Sequence, residues 1–152
     1  MPLSLKGEEL DLLYEEVTAF VNAAPDAETR AAYQPLLDAI QGGEVPDEAL
    51  EALGGILEVG LQTGRIRKIH RALGEQTLLR LFHKTPAGEA HTKGLADLNN
   101  ALSQLEGHTI ESVRVVARVP GVYLAMISTD KCEMTLRFTP DDAGVESVAV
   151  GV

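Results

Sequence analysis

The spacing of the apolar residues changes near Gly107, and this change constrains the fold more than any other feature of the sequence. Before Gly107, apolar residues recur every three or four positions, which is the period of helices that pack along one side. After Gly107 they alternate with polar residues, which is the period of strands with one buried face. The sequence therefore predicts an α+β fold in which the helices come first and an antiparallel sheet comes last.

Residues 1–85 predict an N-terminal helical region of four to five helices. Pro35 falls inside the second apolar stripe, so we expect that helix to be kinked or split there. Gly54, Gly55 and Gly60 fall inside the third stripe, where each glycine costs about 1 kcal/mol relative to alanine. These glycines predict close helix packing or a break.

The clearest signals lie in residues 86–152. Thr85 followed by Pro86 is typical of a helix start, and the apolar stripe behind it predicts one long helix to about residue 106. Four strands are then expected as an antiparallel meander, at residues 113–119, 122–127, 132–138 and 145–152. We expect the long helix to cover the sheet face that carries Val113, Leu124 and Leu136.

A helix followed by a four-stranded meander resembles the layout shared by cystatin-like and PepSY-type domains. The resemblance is one of element order and implies no function, since one fold serves many activities. Residues 1–85 have no counterpart in it. The length of 152 residues suits a single domain, with a helical subregion at 1–85 and a helix-plus-sheet subregion at 86–152.

Composition favours a cytoplasmic protein. No apolar run approaches the roughly 18 residues of a membrane span, so no membrane association is expected. The N-terminus reaches Glu8 and Glu9 before any apolar run of a secretory signal develops. The single cysteine, Cys132, excludes an internal disulfide and agrees with a reducing compartment.

The charges are unevenly distributed along this acidic chain, whose formal net charge is -10. Residues 1–60 carry a net charge of -11, whereas residues 61–93 carry +5. The stretch GRIRKIHR supplies most of these cations, and a helix there places Ile66, Ile69 and Leu73 on one side, which we expect to be buried. The first candidate surface for a partner or an anion is Arg65, Arg67, Lys68, His70 and Arg71.

A second candidate surface lies on the sheet. Arg114, Arg118 and Arg137 fall opposite the expected core face, and Tyr123 is expected beside them. The cations either form cross-strand charge pairs or provide a platform for an anionic ligand or a partner.

No residue pattern predicts catalysis, a metal or a cofactor. His70, His83, His91 and His108 lack the spacing of zinc ligands, and Cys132 lies on an apolar strand face, where it is expected to be a small buried residue. We therefore expect no metal, no cofactor and no catalytic residues. The enzyme hypothesis is kept as the less favoured one and would need a pocket between helix and sheet.

Three functional hypotheses follow. The first is a non-catalytic, cytoplasmic protein-interaction or regulatory accessory protein that self-associates, because its charge segregation suits partner recognition and its last strand, VESVAVGV, favours pairing or cover. The second is a small-molecule-binding protein or an enzyme that uses a helix-on-sheet cavity. The third is nucleic-acid binding through residues 65–71. The net negative charge of the chain and the lack of aromatic residues in that segment disfavour it.

Overall fold

The computed structural model describes residues 1–151 and confirms the predicted α+β fold. The helices are α1 (Glu8–Asn22), α2 (Ala27–Ala32), α3 (Gln34–Gln41), α4 (Leu50–Gln62), α5 (Arg65–Phe82) and α6 (Pro86–Ser103). The strands are β1 (Leu3–Ser4), β2 (Glu44–Val45), β3 (Ile110–Val119), β4 (Val122–Thr129), β5 (Cys132–Phe138) and β6 (Ala143–Val150). Five helices thus precede the long helix and the meander, as the spacing of the apolar residues predicted.

The chain divides into two compact units, Met1–Glu89 and Ala90–Val152. The boundary lies four residues beyond the predicted division at residues 85/86. The first unit is helical, apart from the short antiparallel pair β1–β2, which the sequence did not predict. That the two units act as one domain stays a prediction.

The helical unit has one apolar core, which α1, α3, α4 and α5 share. Leu13, Leu53, Leu57, Ile66 and Leu81 are fully buried in it. Full burial of a leucine contributes about 1.5–3 kcal/mol relative to exposure, so this cluster accounts for much of the stability of the unit.

Proline and glycine act in this unit largely as predicted. Pro35 lies at the second residue of α3, and the predicted second helix is split there into α2 and α3. Gly54 allows α4 to approach the start of α6, because a Cβ atom at position 54 would lie 2.8 Å from Thr85 Oγ1. Thr85 Oγ1 also accepts the backbone N–H of Gly88 at 3.2 Å, which confirms the predicted start of α6.

The sheet is antiparallel, with strand order β3-β4-β5-β6. One face packs on α6 and is called the covered face; Leu98 and Ala101 of the helix contact Met134 and Leu136 there. The opposite face is called the open face. The last strand ends at Val150, and Val152, which was predicted to belong to it, lies outside the described residues.

The prediction that Leu124 shares a face with Val113 is wrong. Val113 pairs with Ile127 and Leu124 pairs with Val116, so Leu124 lies on the open face. The reason is a β-bulge, because the register shifts between Ala117 and Val119 and leaves Arg118 as an extra residue. One extra residue exchanges the two faces of the strand that follows.

An ion pair crosses the open face of the sheet. Arg118 on β3 donates a hydrogen bond to Glu146 on β6 at 2.7 Å, although two strands lie between them. The backbones of β3 and β6 are three strand spacings apart, about 14 Å in a flat sheet, so the two side chains extend toward each other above β4 and β5. Val116, on the open face, is half-buried, whereas the other residues of β3 are exposed.

The covered face extends beyond the helix that covers it. Val113 and Val115 of β3 lie on this face and are 60 % and 63 % exposed. On β6, Val148 and Val150 are 39 % and 69 % exposed. A single helix therefore buries the middle of the face and leaves apolar strips at both sides.

No helix within residues 1–151 combines the length and the apolar character needed to cross a lipid bilayer.

Candidate functional site

A buried carboxylate lies at the centre of the helical unit. Glu16 of α1 is 1 % exposed, and its Oε1 accepts a hydrogen bond from the guanidinium of Arg65 on α5. Its Oε2 lies 3.1 Å from Nε2 of His70, whose side chain is also buried. A carboxylate held in the interior requires such partners, because an uncompensated buried charge is strongly unfavourable.

Gly60 of α4 provides the space for this carboxylate. A Cβ atom at position 60 would lie 2.9 Å from Glu16 Oε1 and 2.8 Å from Ile66 Cδ1. Gly55, one turn earlier in α4, has nothing within 4 Å of the corresponding position. The expected close packing therefore occurs at Gly60, where α1, α4 and α5 meet, and not at Gly55.

Arg71 interrupts α5 one residue after His70. Its backbone has φ 60° and ψ -169°, and it is the one non-glycine residue with positive φ in the part of the chain that the structure describes. Gly74 permits the turn, because a Cβ atom there would overlap the Cβ atom of His70. For a residue with a Cβ atom such a backbone costs of order 1–3 kcal/mol, and strain of this kind concentrates at functional sites.

The three apolar residues expected on one side of α5 differ in burial. Ile66 is fully buried, whereas Ile69 is 51 % exposed and Leu73 is 78 % exposed. The prediction of one buried side that carries all three residues is therefore wrong for Ile69 and Leu73. Leu73 follows the interruption at Arg71, so it does not continue the buried side of the first part of α5.

The first candidate surface is divided by the structure. Arg65 and His70 turn inward to Glu16, and neither is part of an open cationic surface. Arg67, Lys68 and Arg71 are exposed, and among residues 1–151 no carboxylate forms an ion pair with them.

An open groove of about 790 Å³ runs between the start of α1 and the second part of α5. Two exposed leucines, Leu73 and Leu79, give it an apolar lining. Arg80 and Lys84 add positive charge, and Glu8 is the one acidic residue in the lining. The arrangement is an apolar surface bordered mainly by cations.

The second candidate surface is brought together only in part. Arg114, Arg118 and Arg137 share the open face, as predicted. Tyr123 does not, because it pairs with Ala117 and Phe138 on the covered face. The bulge that moves Leu124 moves Tyr123 with it.

The three arginines of the open face differ in their partners. Arg118 lies 2.7 Å and Arg137 lies 4.0 Å from carboxylate oxygens of Glu146. Arg137 also lies 3.7 Å from Asp142. Arg114 has no ion-pair partner within the described chain.

Of the remaining histidines and Cys132, only His83 lies at the groove. Cys132 is buried as a free thiol on the covered face. His108 Nδ1 lies 3.4 Å from Asp130 Oδ1, where it links the end of the α6 segment to the β4–β5 turn. His83 lines the groove, and His91 lies at the opposite end of α6 from His108, beside Phe138 and Asp142. Within residues 1–151 no three His, Cys, Asp or Glu residues are grouped to hold a metal ion.

Sequence reasoning missed Glu16 and the groove. Glu16 falls at helical spacing from Leu13 and Phe20, inside the apolar stripe of α1, so the signal was present in the sequence. The groove was missed because Leu73 was expected on a buried side of a regular helix, whereas the backbone is interrupted at Arg71, three residues before Gly74.

No protein family, no curated protein and no solved structure matches this chain. The resemblance to cystatin-like and PepSY-type domains is therefore limited to the order of the elements.

Proposed function

We propose that this chain is a non-catalytic protein-binding module that holds an acidic, amphipathic helix of a partner protein in the groove between α1 and α5. The observation that carries the proposal is Leu73, which is 78 % exposed beside the cations of α5. A leucine exposed to this extent at the mouth of an apolar groove suits burial by another molecule.

Charge supports an acidic occupant. Arg80 and Lys84 border the groove, and Arg67, Lys68 and Arg71 lie earlier on the same helix. Within residues 1–151 no carboxylate forms an ion pair with these five cations, so their charge is available to an acidic partner and accelerates encounter with it. A basic or neutral occupant would leave these charges unmatched.

The shape of the groove supports a helical occupant. Amphipathic helices bind by placing apolar residues at i, i+3, i+4 and i+7 into an apolar groove while charged residues contact its rim. Leu73 and Leu79 provide apolar contacts along α5, and Arg80 and Lys84 suit the acidic flank of such a helix.

The same proposal includes a cytoplasmic location and self-association. Composition favours the first, and the exposed valines of β3 and β6 favour the second, because apolar strips of this kind are stabilised by burial. Nucleic-acid binding through residues 65–71 is less well supported, because Arg65 and His70 are engaged with Glu16.

The test uses the full chain and a fluorescein-labelled peptide of about 18 residues, with leucines at helical spacing and glutamates elsewhere. A scrambled peptide and one with lysines in place of the glutamates are the matched probes. Fluorescence anisotropy should give micromolar binding for the acidic peptide that weakens as the salt concentration rises. Leu73→Glu and the double variant Arg80→Glu/Lys84→Glu should each weaken it at least about tenfold.

Val59→Glu is the control variant, because Val59 is 49 % exposed on α4 and does not line the groove. Equal binding of the acidic and scrambled peptides, or full binding by Leu73→Glu, would show the proposal to be wrong. Micromolar binding of duplex DNA that is lost in Arg67→Gln/Lys68→Gln/Arg71→Gln would instead favour the nucleic-acid hypothesis.

A further inference from the structure

The open face of the sheet contains a trough one strand wide, separate from the groove of the helical unit. It is a depression of about 260 Å³. Ser112 and Arg114 of β3 form one wall, and Glu133 and Thr135 of β5 form the other. The floor is β4, with Met126 and Ser128 pointing into the trough.

Opposite charges stand on the two walls. Arg114 and Glu133 are both exposed, and neither forms an ion pair anywhere in residues 1–151. The backbones of β3 and β5 are two strand spacings apart, about 9.5 Å. Arg114 lies in the row of Met126 and Thr135, and Glu133 lies in the neighbouring row with Ser128, so the unlike charges lie diagonally across β4.

The two neighbouring arginines of this face, unlike Arg114, have carboxylates within ion-pair distance. Arg118 lies 2.7 Å and Arg137 lies 4.0 Å from carboxylate oxygens of Glu146. Arg114 is the arginine of the face whose guanidinium remains available.

We propose that this trough binds a small zwitterion that carries both a carboxylate and an ammonium group, such as a free amino acid. The planar fork of Arg114 suits a carboxylate, which it binds through two parallel hydrogen bonds. Glu133 accepts from the ammonium group. Met126 contacts an apolar side chain, and the hydroxyl groups of Ser112, Ser128 and Thr135 donate to remaining oxygens or accept from the ammonium.

A simple anion fits the same trough poorly. Glu133 repels phosphate or sulfate, and a ligand without an ammonium group leaves this carboxylate unmatched. An aromatic base also lacks a stacking partner, because Tyr123 and Phe138 lie on the covered face.

The experiment is a titration of the ¹⁵N-labelled full chain with L-leucine, followed by NMR. Two analogues of L-leucine are the matched probes. 4-Methylpentanoate lacks the ammonium group, and 3-methylbutylammonium lacks the carboxylate. L-Leucine should shift the amide signals of Ser112, Ser128 and Thr135 saturably, and each analogue should bind at least about tenfold more weakly, since one charged contact is lost.

Arg114→Gln and Glu133→Gln should each weaken L-leucine binding at least about tenfold, because each leaves one ligand charge unpaired. Lys131→Gln and Glu106→Gln change charges elsewhere in the same unit and should bind as the unsubstituted chain does. Absence of a saturable shift up to about 10 mM overturns the proposal. Equal affinity for 4-methylpentanoate and L-leucine also overturns it, and this comparison needs no variant.

Discussion

The imidazole Nε2 of His70 lies 3.1 Å from Oε2 of Glu16, so two residues 54 positions apart in the sequence form one buried pair. With Arg65 they fix the first part of α5 against α1. The strained residue Arg71 follows directly, and the exposed leucines of the groove come after it. The shape of the proposed binding surface therefore depends on an interior charge cluster.

Glu16→Gln should lower the free energy of unfolding by about 2–3 kcal/mol, since it leaves Arg65 and His70 without their charged partner. This expected loss of unfolding free energy is smaller than that for a fully buried pair, because the Arg65 side chain is 34 % exposed. Urea denaturation measures it. Glu15→Gln, an exposed neighbour on the same helix, should stay within about 0.5 kcal/mol of the unsubstituted chain. Equal effects of the two variants would contradict the role assigned to Glu16.

Gly60→Ala and Gly55→Ala should change stability in opposite directions, although both lie in α4. A methyl group at position 60 meets Glu16 and Ile66, so we expect a loss of about 1–3 kcal/mol. At position 55 nothing lies within 4 Å, and alanine should add about 1 kcal/mol through its helix propensity. Thermal unfolding of both variants is the measurement, and a stabilised Gly60→Ala would contradict the packing described.

Arg71→Gly should raise the free energy of unfolding by about 1 kcal/mol, because glycine adopts a positive φ without strain. Lys68→Gly, in the regular first part of α5, should instead lower it by about 1 kcal/mol. A loss of stability in both variants would show that Arg71 does not store strain.

Arg118 holds the pKa of the Glu146 carboxyl below its ordinary value of 4.5, mainly by a hydrogen bond and further by charge attraction. Because folding lowers this pKa, the pair stabilises the fold above about pH 4.5, and the contribution is lost as the pH falls through the lowered pKa. In Arg118→Gln the pKa of Glu146 should rise toward 4.5, measured by carboxyl ¹³C NMR. Arg114→Gln should leave that pKa unchanged, and a shift there would mean that the two arginines are coupled.

Self-association is expected to depend on the exposed valines of the covered face. Lysine in place of Val115 or of Val148 should shift the sedimenting species toward the 16.3 kDa chain. Met126→Lys, on the open face, should leave the distribution unchanged. If the unsubstituted chain sediments as a monomer at high concentration, self-association has to be abandoned.

The sequence predicted the order and type of the main elements because their signals are local. Pro35 splits a helix, and Thr85 with Pro86 starts one, through backbone chemistry that does not depend on the rest of the chain. The short β1–β2 pair gave no such signal, since a strand of two residues has no period to detect.

The side-chain faces of β4 could not be predicted from alternation alone. In a hairpin without a bulge, Leu124 would share a face with Val113 and Val115. The extra residue Arg118 reverses that parity, and it looks like any other polar strand residue in the sequence. The side-chain faces of a strand that follows a turn can therefore be assigned only when its pairing register is known.

The sequence predicted the exposed cations of the candidate site but not its groove. Arg67, Lys68 and Arg71 are exposed, as expected, but the groove depends on the non-helical backbone of Arg71. Arg65 and His70 were expected to be available to a partner, and pairing with Glu16 over a long sequence separation was not foreseen.

The two register shifts of β3, at Glu111 and Arg118, affect whether this edge strand can pair with strands of other molecules at high protein concentration. A growing fibril requires that each strand offer its neighbour an unbroken row of backbone donors and acceptors. In β3 that row is interrupted near both ends, which leaves only a short regular stretch between Ser112 and Ala117. The valines of β3 are thus exposed, but its interrupted backbone disfavours the repeated strand pairing of a fibril.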